Sequence, residues 1–198
     1  MVRSLPPIRT LSYISTVFLM LGILEAFSVT CGAQSGALDL SGSPADPFAM
    51  SKDKIVVLIF VLTDCPISNR YAPAIQQLST QYAGKAAFFL IYPNRKETAE
   101  TIRKHNAEFG YTITALRDPQ HTLVKLSQAQ ITPEAAIFDA KRSLIYHGRI
   151  DNLYEDFGRA RRNATTHELS DVIQAVIAGK SVSTTVTPAV GCYISDLK

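Results

Sequence analysis

From Lys54 onward, short unbroken apolar runs alternate with longer amphipathic stretches. Residues 55–62 (IVVLIFVL) are apolar throughout and partly β-branched. A run this short suits a strand buried on both faces of a covered sheet. Thr63-Asp64-Cys65-Pro66 ends it, with Pro66 where a helix can open. Tyr71, Ile75, Leu78 and Tyr82 then recur on one helical face until Gly84. Residues 86–92 (AAFFLIY) read as a second buried strand. Residues 97–109 read as a helix from the spacing of Ile102, His105 and Phe109, closed by Gly110. A short strand over 113–116, a turn at Asp118-Pro119 and a short helix over 123–126 follow. Residues 135–138 and 144–147 flank a polar turn and predict a hairpin. The last helix spans about 166–178, with a stripe of Leu169, Val172, Ile173, Val176 and Ile177 and Gly179 as its cap.

The order β-α-β-α-β, hairpin, helix predicts an α/β domain over 54–180. Its alternating half calls for parallel strands with helices on both faces of the sheet, and the hairpin adds antiparallel ones. Two flanks remain. Residues 34–53 are rich in Gly, Ser, Ala, Asp and Pro and read as a flexible lead-in, and residues 181–198 form a polar tail carrying Cys192.

Residues 1–33 differ in kind. Arg3 and Arg9 precede an apolar run over 11–29 broken only by Glu25, and Cys31-Gly32-Ala33 offers small residues for cleavage before Gln34. This is the pattern of a signal peptide, and the expected destination is periplasmic or extracellular. An uncleaved leader would instead act as a membrane anchor, the chain's only expected membrane contact. Cleavage would remove Cys31 and leave two cysteines, Cys65 and Cys192, in a setting that permits disulfides.

The remaining composition narrows function mainly by exclusion. The net charge of +3 is mild and scattered apart from Arg159, Arg161 and Arg162, which read as a solvated loop. A nucleic-acid footprint needs a denser stripe, so no such partner is expected. No metal and no cofactor are expected either. Cys65 is the position with evident chemistry. It follows a buried strand and precedes a helix, where orphan N–H groups and the helix dipole favour a thiolate. Thiols so placed have pKa values of ~3.5–7.5 in place of ~8.5.

Thr63-Asp64-Cys65-Pro66-Ile67-Ser68 between strand and helix resembles the active-site turn of the thioredoxin-like superfamily. Ile131-Thr132-Pro133-Glu134 is similar to the loop that carries that superfamily's cis-proline. Tyr146-His147-Gly148-Arg149-Ile150-Asp151 resembles the stretch after the hairpin in bacterial exported redoxins, the alkyl hydroperoxide reductase and thiol-specific antioxidant branch. The resemblance implies a thioredoxin-like fold with a central mixed sheet. It also implies substrate contacts from Thr63, Pro66, Thr132 and Pro133, the last in a cis peptide opposite Cys65 that leaves the Thr132 backbone free for a substrate chain.

Two departures matter. Ser68 stands where disulfide oxidoreductases carry the second thiol of C-x-x-C, which excludes dithiol exchange within the turn. Thr63 lies two residues before Cys65, whereas peroxiredoxins place their threonine three before. A substitute partner is Cys192 in the tail, either as a resolving thiol or in a structural disulfide. The expectation is an exported thiol-dependent redox protein, of thiol–disulfide oxidoreductase or peroxide-reducing type, with Cys65 and Cys192 as its catalytic residues. Its partners would be protein thiols and disulfides or small peroxides. The alternative is a thioredoxin-fold binding module that has lost its dithiol chemistry.

Overall fold

A computed structural model describes residues 36–195 and Leu197. The leader, the cleavage point at Ala33 and Cys31 lie outside the described residues. A five-stranded mixed sheet forms the centre, in the order β3-β2-β1-β5-β6. Here β1 is Ile55–Phe60, β2 Ala86–Tyr92, β3 Thr114–Arg117, β5 Glu134–Phe138 and β6 Leu144–Gly148. β1 runs parallel to β2, and β2 to β3, whereas β5 is antiparallel to both β1 and β6.

The unbroken apolar runs follow from burial on both sides. Val57 and Ile59 of β1 and Phe88, Leu90 and Tyr92 of β2 face one core cluster. Their neighbours Val56, Leu58, Phe60, Phe89 and Ile91 face the other. The first cluster takes Ile67, Tyr71 and Ile75 from α2 (Pro66–Gln81), Ile102 from α3 (Ala99–Glu108), and Leu169, Val172 and Ile173 from α5 (Glu168–Ile177). The second is closed by Leu123 and Val124 of α4 (Thr122–Ser127) and by residues from the segment before β1.

That segment departs from the sequence expectation of a flexible lead-in. Ala37 is fully buried, and Leu38 exchanges two backbone hydrogen bonds of 2.8 Å with Arg117 at the sheet edge. Asp46 caps α1 (Pro47–Met50) and pairs with Arg142 at 2.7 Å, while the Phe48 ring meets Phe138 edge-on at 5.2 Å. The small and polar residues there permit close approach and turn capping, which composition alone does not distinguish from looseness.

The tail is also fixed to the domain. His147 donates to Thr185 O at 3.0 Å and Thr187 donates to His147 O at 3.2 Å, so the chain runs beside β6. It then forms β9 (Cys192–Tyr193), antiparallel to β4 (Ile131–Thr132). The arginine run is not a loose loop. β7 (Tyr154–Asp156) and β8 (Arg159–Ala160) form a small hairpin, and Arg159 and Arg161 both pair with Glu155. No helix among the described residues is long and apolar enough to cross a membrane.

Candidate active site

Cys65 is the N-cap of α2, and Pro66 opens the helix where the missing N–H is not needed. Its Sγ accepts from the Ser68 backbone N–H at 3.5 Å and lies 3.1 Å from Thr132 O, to which the thiol donates. Only 1% of Cys65 is exposed, whereas Pro66 beside it is at the surface. Ser68 is buried, and its hydroxyl has no partner other than the Cys65 sulfur.

The second half of the site comes from β4 and the start of β5. Thr132 and Pro133 are buried, and the peptide between them is cis. Glu134 holds this loop, since its Oε2 accepts from the N–H groups of Gln130 and Ile131 and its Oε1 lies 3.1 Å from His147 Nδ1. The backbone of Thr132 is not free. Thr132 is the register partner of Cys192, and its hydroxyl donates to Cys192 O at 3.2 Å. Cys65, Thr132 and Cys192 therefore converge, and each of the two thiols influences the ionisation of the other. Both cysteines are free thiols here.

Burial is the largest influence on the Cys65 thiol and pushes its pKa up. Hydrogen bonds from the Cys192 thiol and from Ser68 outweigh it, so the net shift is downward and the thiolate is favoured. Cys192 moves the other way, pushed up to about 12 by burial first, then by its hydrogen bond to Cys65 and the Cys65 charge. The pair thus sheds its first proton readily and holds its second, as coupled sites do.

Behind the turn stands a set of braces that periodicity did not reveal. Glu97, 6% exposed, accepts from the Thr63 N–H at 2.7 Å. Asn69 donates to Thr63 O at 3.1 Å, and its Oδ1 lies 2.8 Å from His105 Nε2. His105 Nδ1 in turn sits 2.8 Å from the Tyr92 hydroxyl. Burial lowers the His105 pKa and so favours the neutral imidazole. A glutamate at the start of the predicted 97–109 helix and an Asn soon after Cys65 were the sequence signals of these braces.

No protein-family model matches the chain, and no curated protein matches it by sequence. Solved structures do. A hypothetical protein of Sinorhizobium meliloti 1021 is 26% identical with a TM-score of 0.67, the match covering 79% of this chain and 87% of that one. An uncharacterized conserved protein of Geobacillus kaustophilus is 21% identical with a TM-score of 0.66, covering 81% and 89%. A thiol:disulfide interchange protein of the thioredoxin family from Chlorobium tepidum TLS is 13% identical with a TM-score of 0.52, covering 71% and 90%. The fold of this chain is the thioredoxin-like one.

Proposed function

We propose that the chain is an exported thiol-dependent redox protein in which Cys65 is the attacking thiolate and Cys192 resolves it. The observation that carries this reading is the convergence of the two cysteines on Thr132, whose carbonyl accepts from the Cys65 thiol and whose hydroxyl donates to the Cys192 carbonyl. The depressed pKa of Cys65 supports its role as nucleophile. A protein disulfide is the favoured substrate, because the edge at Thr132 already pairs with an extended chain, the tail strand β9, that carries a cysteine.

The electrons balance as follows. The Cys65 thiolate attacks one sulfur of the client disulfide, and the other client sulfur leaves as a thiolate. Cys192 then loses its proton and attacks Cys65 Sγ in the mixed disulfide, which releases the second client thiolate. Two client thiols and one Cys65–Cys192 disulfide result, and an external dithiol reductant returns the protein to its starting state. The raised pKa of Cys192 orders these steps. Burial raises it throughout, but the contributions from the Cys65 hydrogen bond and charge vanish once Cys65 is capped, and Cys192 then ionises more readily.

Mass spectrometry tests this directly. After mild oxidation the wild-type protein should be lighter by two hydrogen atoms, with Cys65 and Cys192 in one cross-linked peptide. Cys192→Ser should instead accumulate a mixed disulfide at Cys65 when given a model disulfide. If Cys192→Ser clears that adduct as fast as wild type, Cys192 is not the resolving thiol. The competing reading, a binding module without chemistry, draws on Ser68 and on the near-complete burial of Cys65. It requires that no Cys65 adduct form in either protein.

A further inference from the structure

β9 occupies the edge of β4 in the manner of a bound peptide. Ile131 pairs with Tyr193 and Thr132 with Cys192, and the Ile194 N–H donates to Gln130 O at 2.9 Å. This register delivers a cysteine sulfur to Cys65, which is what a client chain would have to do. We infer that residues 191–194 are a built-in occupant of the client edge, and that the favoured client is an extended segment reading Gly-Cys-any-apolar. The inference rests on the reading of Cys65 as the attacking thiol.

Each position of that pattern has a physical cause. A Cβ at Gly191 would lie 2.0 Å from Thr132 O and 3.1 Å from Ile131 Cγ2, so no side chain fits there while the ladder is formed. Ile194 is 5% exposed and packs with the core cluster on the second face of the sheet, among Phe60, Leu123 and Phe138. Tyr193 between them is 79% exposed and sets no requirement. With Cys65 only 1% exposed, a client sulfur reaches it only after the tail has left the edge. A ladder of two residue pairs is weak enough to exchange. The tail therefore competes with clients before the first step and supplies Cys192 for the second.

The probe is a fluorescein-labelled peptide, Thr-Pro-Ala-Val-Gly-Ser-Tyr-Ile-Ser, in which serine replaces the cysteine so that only binding is read. Full-length Gly191→Ala and, independently, Ile194→Asp should each bind it at least ten-fold more tightly than the wild-type chain, because their own tails no longer hold the edge. Peptides with Ala for the Gly, or Ser for the Ile, should bind at least ten-fold more weakly to every protein, wild type included. The cysteine peptide, activated as its thionitrobenzoate disulfide, should form a Cys65 adduct in the same rank order. Equal affinity of the wild type and both variants, or of all three peptides, would overturn the inference. Discriminating binding without adduct formation would instead refute Cys65 as nucleophile and leave the docking edge standing. Adducts at equal rates from all peptides would leave Cys65 standing and refute the edge.

Discussion

Thr63 is held at both ends of its peptide unit, its N–H by Glu97 and its carbonyl by Asn69, and this fixes the chain two residues before the thiol. The Glu97 carboxyl carries the cost of that position. Burial is the main cause of its raised pKa, offset in part by the hydrogen bonds from Thr63, and its Oε2 has no partner. In the folded protein Glu97 therefore keeps its proton to higher pH than in the unfolded chain. The folded state binds more protons across that window, so this residue's contribution to stability falls as pH rises through it. Glu97→Gln retains an oxygen for the Thr63 N–H and removes the charge. Its denaturant-derived stability should lose that fall, so the difference from wild type grows in favour of the variant as pH rises from the ordinary carboxylate range toward neutrality. Glu97→Ala leaves the Thr63 N–H without its acceptor and should cost ~1–3 kcal/mol. It should also slow alkylation of Cys65 at neutral pH, because the turn that places the sulfur over the helix N-terminus is loosened. A Glu97→Gln profile parallel to wild type across this range would show that the carboxyl is ionised and adequately solvated where it stands.

At the scale of elements, the first turn of α2 is built to hold two groups facing each other, Cys65 at the N-cap and Ser68 one turn on. Ser68→Cys should place a second thiol against Cys65 without enlarging the buried volume much. Peptide mapping after mild oxidation should find Cys65 bridged to the new thiol in preference to Cys192, since a local partner closes a far shorter loop. A map that still shows only the Cys65–Cys192 link would mean that β9 presents its sulfur better than the helix can. The strand–turn–helix that carries Cys65 was legible because IVVLIFVL and the Tyr71–Ile75–Leu78 spacing are long enough to show a period, and Pro66 marks the junction. β4 and β9 were not, because two-residue strands have no period and their pairing joins residues 60 apart in sequence. His105 was legible only as a packing residue, and its ring does meet Phe109 at 4.8 Å. Its bond to Asn69 crosses from α3 to α2, and a single sequence carries no trace of which helices are neighbours. The segment before β1 was misread for a related reason: Ala37 and Ala45 are small because they are buried against the sheet, and small residues signal looseness just as well.

At the scale of the whole molecule, oxidation would tie the tail to the start of α2, and two effects then oppose each other. Closing so long a loop restricts the unfolded chain and typically adds ~2–4 kcal/mol to the oxidised form. For a chain of this size that corresponds to roughly 5–15 °C in the thermal midpoint. The reduced form has its own gain from the thiols, and that gain depends on pH. Cys65 has a folded pKa below its unfolded value of ~8.5, so it stabilises the reduced protein as pH rises from the folded value toward ~8.5. Cys192 has a folded pKa pushed up to about 12. Between its unfolded value near ~8.5 and that point, the unfolded state binds fewer protons, and the reduced protein loses stability as pH rises. The oxidised protein has neither group to titrate. The stability gap between oxidised and reduced forms should therefore narrow as pH rises from the lowered Cys65 range toward ~8.5 and widen again above it. Thermal unfolding of both forms across this range reads the two signs, and Cys65→Ser, which has only the thiol form, is the control whose stability should not rise toward ~8.5. A gap that does not change with pH would mean that the thiols titrate alike in the folded and unfolded chains, and that Cys192 does nothing to prepare the attacking sulfur.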